Sequence, residues 1–273
     1  MISFIDNAMK NIGLENYRVL KIEDTYRYLN DETKALGYNS VIIFTLPYFA
    51  GNEKGNISLY ARGWDYHKVM GDIQKRIAKF LLEKYKDAEF AFYSDISPYK
   101  ESALAAAAGL GVLGLNNLLI TEKYGSFVFI GEVLTTIGFE RFDELSDIKF
   151  CDKCGKCKTA CFSGALNREF NKDLCISYIT QKKGDLTKEE QNLIIKSPYI
   201  WGCDLCQLAC PLNQNISKTH LKEFNENLIL NLGLKDIMDL SNRAFLKKYK
   251  DSAFKWRGIS PLKRNLGLKS KSS

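Results

Sequence analysis

No cysteine occurs before Cys151 or after Cys210, although the chain of 273 residues contains eight. A random scatter of thiols is thereby excluded, and one segment is marked for thiolate chemistry. Long apolar runs are missing as well. The longest mostly apolar, uncharged stretch, Ser102 to Thr121, is broken by three glycines and two asparagines. It falls short of the ~18 continuous apolar residues of a membrane-spanning helix. Met1 to Lys10 lack the basic start and apolar stretch of a secretory signal, and no twin-arginine pair occurs. The expectation is a soluble, cytoplasmic protein that avoids membranes and is monomeric. A hydrophobic share of 45% and a charged share of 26% fit a globular chain with a core, as one large domain or two unequal ones.

Acidic residues are scarce at one end. From Ser241 to Ser273 there are ten basic residues and one acid, Asp251, so this stretch exceeds the whole chain's net charge of +7. Clustered Lys and Arg release counterions from nucleic acid, which makes the stretch a possible phosphate-binding surface. A solvated, partly frayed tail explains the same composition, and charge alone does not separate the two.

Three regions differ in composition: residues 1–145, a mixed α/β region without cysteine; 146–215, which hold every cysteine; and 216–273, helical at first and basic at the end. In the first, Ser40 to Leu46 (SVIIFTL) reads as a strand stopped by Pro47. Val69, Ile73, Ile77, Phe80 and Leu81 recur with helical period over Asp65 to Tyr85. Glu89 to Tyr93 and Ser126 to Leu134 read as strands, and Glu101 to Leu110 as an alanine-rich helix ending at Gly109 and Gly111.

The cysteines form two groups. Cys151-x2-Cys154-x2-Cys157-x3-Cys161 has the bacterial ferredoxin spacing, with Phe162 in place of the usual proline. Cys203-x2-Cys206-x3-Cys210-Pro211 is one cysteine short, and Cys175 is left over to complete it. In such runs three thiolates hold one cubane and the fourth reaches the other. Cys151, Cys154, Cys157 and Cys210 are then expected on the first [4Fe–4S] cluster. Cys161, Cys175, Cys203 and Cys206 are expected on the second. Two four-thiolate zinc sites remain conceivable, but zinc has no need of the x2-x2-x3 run. Two fully ligated clusters make a wire, and a wire needs an acceptor.

The first region offers three constellations. Asp65, Tyr66 and His67 stand together before a helix, and His67 is one of only two histidines. Asp65 as a helix N-cap explains the group without function. Asp95 follows a strand and precedes the alanine helix, a place suited either to a cap or to a proton donor. Gly109-Leu-Gly-Val-Leu-Gly114 follows a helix instead of opening one, which argues against a dinucleotide loop. Close backbone approach to a flat cofactor is the better use of its glycines.

Taken in order, these segments resemble the epoxyqueuosine reductases. The likeness runs from Ser40 to Asn265. It is carried by YARGWDYHK at Tyr60 to Lys68, by Ser94 to Leu134, by CISYIT at Cys175 to Thr180, by GCDLCQLACPLN at Gly202 to Asn213 and by WRGISPLKRN at Trp256 to Asn265. The resemblance implies a nitroreductase-like α/β domain holding cobalamin, then a ferredoxin-like double-cluster domain and a short helical basic tail. It implies two-electron removal of the epoxide oxygen from a modified wobble base of tRNA, with electrons from an external low-potential donor such as flavodoxin or ferredoxin. Asp95 matches the family's proton donor, and a donor there has to stay protonated near neutrality, which burial favours. Ser58, Leu119, Ile130, Cys203 and Asp204 match positions near cobalamin. Asp65, Tyr66, His67 and Tyr178 resemble substrate-side residues, and Lys263 and Arg264 are expected on tRNA. The chain departs from the family pattern at Val112, Leu115 and Gln181-Lys182. A reductive-dehalogenase-like reductase of small molecules, or a non-catalytic double-cluster carrier, is the alternative reading.

Overall fold

The structure, a computed structural model, describes residues 4–270, so Lys271 of the basic stretch lies outside the described residues. The chain forms two compact units. One runs through Pro47 and resumes over Tyr66–Lys153; the other comprises Tyr48–Asp65 and the chain from Cys154 onward. This division differs from that by composition. Residues 48–65 fold with the cysteines, Cys151 stays with the first unit, and the basic stretch shares the second unit instead of standing apart.

The first unit is built on a four-stranded antiparallel sheet. Its strands are β1 (Tyr17–Lys21), β2 (Ser40–Pro47), β3 (Phe90–Tyr93) and β6 (Val128–Thr135), in the order β1-β2-β6-β3. A separate hairpin pairs β4 (Val112–Leu113) with β5 (Leu119–Ile120). Every residue of β2 is buried, which explains why SVIIFTLP reads as an unbroken apolar run: the strand is covered on both faces. On one face Val41, Ile43 and Leu134 pack with Leu104 to Ala107 of the helix Glu101–Ala107 and with Ala108 at its end. On the other, the helix Tyr66–Leu81 crosses at Gly131. A Cβ there would lie 2.3 Å from Met70 Sδ and 2.6 Å from the Phe44 ring, so only glycine lets the helix come that close. Gln74 of the same helix is buried and donates to the carbonyls of Tyr93 (2.7 Å) and Glu132 (3.1 Å), tying the helix to β3 and β6.

The glycines at 109–114 shape the hairpin. Gly109 has φ +78°, the left-handed conformation that ends the alanine helix. A Cβ at Gly111 would sit 2.4 Å from the carbonyl oxygen of Ile120. The close approach expected toward a flat cofactor is therefore, at Gly111, an approach to the chain's own backbone.

In the second unit, segment 48–65 lies against the cysteine-bearing chain. Ile57 bridges Trp201 and the Ser58 N–H donates to Trp201 O at 2.9 Å. The basic stretch is ordered, through helices Asn242–Lys248 and Ser260–Ser270. Fully buried Asn265 donates to the carbonyls of Thr180 and Ile200, both at 2.8 Å, and so fastens the last helix to the cysteine region. Among the described residues, no helix is long and apolar enough to cross a membrane.

Candidate functional site

All eight cysteines are unbridged thiols. Cys151 closes the first unit, its N–H bonded to Leu113 O at 3.1 Å. Gly155, with φ +79°, turns the chain into the short helix Lys156–Ala160 that spaces Cys157 from Cys161. Cys175 stands at the N-cap of the helix Ile176–Gln181, where the backbone N–H groups of Ser177 and Tyr178 are near enough to favour its thiolate. Leu205 N–H stands likewise near Cys203. Burial raises the Cys175 thiol and the nearby Cys161 adds to it; burial also raises Cys203, with Cys206 and Cys175 as neighbours. Cys161, Cys175, Cys203 and Cys206 thus share one neighbourhood. Backbone amides near sulfur in a half-buried set of thiols suit an iron–sulfur cluster, whose sulfurs are tuned by such hydrogen bonds. The residues present fit that group.

Gly202, just before Cys203, has φ +70°, and a Cβ there would meet Ser58 Cβ at 2.4 Å. That contact brings Ser58 to Asp204. The buried Asp204 carboxylate accepts the Ser58 hydroxyl at 2.5 Å and the Leu59 N–H at 2.8 Å. Burial still raises Asp204 above its ordinary range, against the pull of Ser58, Leu59 and Arg62. Ser58→Ala removes one donor from this buried carboxylate. It is expected to cost about 1.5–3 kcal/mol, read as a lower urea midpoint of the reconstituted chain.

In the first unit the Tyr66 hydroxyl donates to Asp95 Oδ2, and His67 Nε2 lies 3.4 Å from the same oxygen. Tyr66 stacks on Phe129 with ring centroids 4.3 Å apart and on His67 at 4.1 Å. Asp95 has φ +64°, a left-handed conformation that costs most residues strain and that Asp tolerates better than most. Its side chain is 53% exposed. The burial expected around this acid is found instead at two glutamates that the sequence reading passed over. Glu132 is fully buried, and burial pushes its carboxyl up to about 8; burial pushes Glu101 up to about 7. The signal for Glu132 was a lone acid inside the apolar run SFVFIGEVL.

The remaining expected residues fall in several places. Leu119 is buried in the core of the first unit, and Ile130 packs half-buried against it. Val128 packs half-buried on the same side of β6 as Ile130, while Phe129 points to the opposite face against Tyr66. Asp65 faces Lys255 Nζ at 3.5 Å. The Tyr178 ring lies under Lys172 and Lys182, with ammonium-to-centroid distances of 4.5 and 5.3 Å. Lys263 donates to the carbonyls of Met238 (2.6 Å) and Leu240 (3.1 Å). Arg264 donates to those of Lys182 (2.8 Å) and Gly184 (2.7 Å). Both cations are used to hold the fold together.

The cysteine unit defines a double-cluster iron–sulfur protein. Residues 150–213 match the family model of the 4Fe-4S double cluster binding domain, and residues 32–95 match that of epoxyqueuosine reductase QueG, DUF1730. Epoxyqueuosine reductase of Gloeobacter violaceus is 34% identical over 243 residues, covering 84% of this chain and 75% of the relative. The chain belongs to the epoxyqueuosine reductase family. The Listeria monocytogenes enzyme is 35% identical over 222 residues, 79% of this chain, and the match spans only 56% of that relative's length. Among solved structures, epoxyqueuosine reductase with an epoxyqueuosine-modified tRNA-Tyr stem loop matches with TM-score 0.82 and 26% identity, over 97% of this chain and 79% of the other. The Bacillus subtilis enzyme, with its aspartate-bearing catalytic loop swung out of the active site, matches with TM-score 0.81 and 28% identity, over the same shares of both chains.

Proposed function

We propose that this chain reduces epoxyqueuosine to queuosine in tRNA. The observation that carries the reading is the Tyr66–Asp95–His67 constellation in a family member whose residues 150–213 match a 4Fe-4S double cluster binding domain. The first unit is read as a nitroreductase-like cobalamin domain, and the cysteine segment as a ferredoxin-like domain holding two [4Fe–4S] clusters. The half-exposed Val128 and Ile130, on one face of β6, suit the apolar face of a flat macrocycle. Ser58, Leu119, Cys203 and Asp204 are assigned to the surroundings of the same cofactor. Cobalamin bound there would supply the low-potential nucleophilic centre that reductive epoxide opening requires, and the clusters held by the eight cysteines would supply the route for electrons from a flavodoxin or ferredoxin.

The chain's own residues supply the proton. Opening the epoxide leaves an alkoxide oxygen, and Asp95 Oδ2 is assigned as its proton donor. Tyr66 and His67 both meet that carboxyl at Oδ2. The stack on Phe129 fixes the Tyr66 ring, so the donor's direction is set before substrate arrives. Asp65, Tyr178 and the exposed cations of the basic stretch, such as Arg243 and Lys247, are assigned to the tRNA side. Lys263 and Arg264 serve that surface by shaping it. The enzyme is read as a cytoplasmic monomer.

Anaerobic reconstitution is expected to give about eight irons and eight sulfides per chain. With cobalamin and a reduced flavodoxin, the loaded chain is expected to convert epoxyqueuosine-tRNA to queuosine-tRNA. Bound zinc without sulfide would remove the cluster assignment. Cluster loading and cobalamin binding without conversion would remove the substrate.

A further inference from the structure

The basic stretch holds an aromatic side chain that this reaction leaves unused. Trp256 is 53% exposed and stands among ten basic residues and a single acid. An exposed indole by itself is ordinary on a protein surface. This one is fixed. Its Nε1–H donates to Gln181 Oε1 at 3.1 Å, and Gln181 Nε2 in turn donates to the carbonyl of Ser177 at 2.8 Å. The amide is thereby held at both ends, and it holds the edge of the ring. The Arg257 guanidinium lies over one face, 3.7 Å from the ring centroid. Its Nε is buried without a hydrogen-bond partner, whereas Arg264 of the same stretch donates to two carbonyls.

Tyr178 and Gln181 are three residues apart on the helix Ile176–Gln181, so their side chains share a face. The Tyr178 ring packs against Lys172 and Lys182, and Lys182 is pinned by an ion pair with Glu190. Two rings, each packed against cations, are thus joined through one turn of helix. Gln181 and Lys182 are also positions at which the chain departs from the family pattern. Both departures serve these rings: one holds Trp256, the other covers Tyr178.

A flat ring with a cation behind it, in a positively charged surface, suits the π-face of an unpaired nucleobase. An acidic protein would use the same charges, but it has no need of an indole fixed at its edge. We propose that Trp256, set by Gln181 and backed by Arg257, is a stacking platform for an unpaired base of the tRNA loop; this rests on tRNA being the substrate. Trp256 meets the base, and Gln181 is a positioning residue that acts through the ring.

Binding of a synthetic tRNA-Tyr anticodon stem loop without epoxyqueuosine to the reconstituted full chain is the test, and it needs no turnover. Trp256→Ala is expected to weaken binding about 5- to 150-fold, the weight of one stacked base. Trp256→Phe is expected to recover most of that loss. The slope of log affinity against log salt is expected to stay unchanged in both, because stacking releases no counterions. Unaltered affinity in Trp256→Ala, a loss that phenylalanine does not recover, or a changed slope would each overturn the platform. Gln181→Leu is expected to weaken binding about threefold in the wild-type chain and not at all in Trp256→Ala. Equal losses in both backgrounds would remove its positioning role. If Trp256→Ala weakened flavodoxin binding and spared the stem loop, the surface would be a protein dock instead. The two readings fail separately. A chain that reduces epoxyqueuosine-tRNA but binds equally well as Trp256→Ala loses the platform alone, and one that binds the stem loop through Trp256 yet converts none loses the reaction alone.

Discussion

Asp95→Asn is expected to lower epoxide reduction by about 10²–10⁴-fold, the usual weight of a placed general acid. The substitution is chosen for what it leaves intact. Asparagine tolerates the left-handed backbone found at φ +64°. Its amide oxygen still accepts the Tyr66 hydroxyl, and its size matches the aspartate. Iron content, cobalamin binding and tRNA affinity are therefore expected to stay at wild-type levels while single-turnover conversion collapses. Alanine would be a poorer probe, because it removes the partner of Tyr66 and His67 together and loosens the loop. Full turnover in Asp95→Asn would end the assignment, and loss of cluster content would show that the residue supports the fold instead.

The elements that carry this site were legible where one physical signal dominated. SVIIFTL gave β2 because a strand buried on both faces must be apolar throughout. The spacing of Val69, Ile73, Ile77 and Leu81 gave the helix Tyr66–Leu81 because one face of it packs on the sheet. The ferredoxin spacing of the cysteines was stronger still, since a cubane fixes its ligands' separations. Three things were not legible. The edge strand β1, YRVLK, is short and half polar, and it is specified mainly by its register against β2. The membership of residues 48–65 in the cysteine unit depends on close approaches such as Gly202 to Ser58, which local sequence does not encode. Lys263 and Arg264 looked like nucleic-acid contacts because composition reports charge and not whether a carbonyl already holds it.

The buried acids give the second large effect, and it concerns stability. Glu132 stands in an interior strand with its carboxyl pushed from 4.5 up to about 8, by burial first and by the charge of Glu101 second, against the lowering effect of Ser97. Its folded-state proton affinity therefore exceeds that of the unfolded chain. Below pH 4.5 both states hold the proton and the group contributes no pH dependence. As pH rises from there toward 8, the unfolded chain releases a proton that the folded chain retains, so stability falls through that window and levels off above it. Glu132→Gln removes the titration and keeps a partner for Ser97. At the upper end of the window the variant is expected to be more stable than the wild type by about 2–4 kcal/mol, and near pH 5 by much less. Urea midpoints of the reconstituted proteins across this range provide the measurement. Parallel pH profiles for the two proteins would mean that Glu132 is already ionised in the folded state. A stabilised variant at the upper end of the window, with the difference fading toward pH 5, would show that the sheet gives up stability near neutral pH to keep this acid buried.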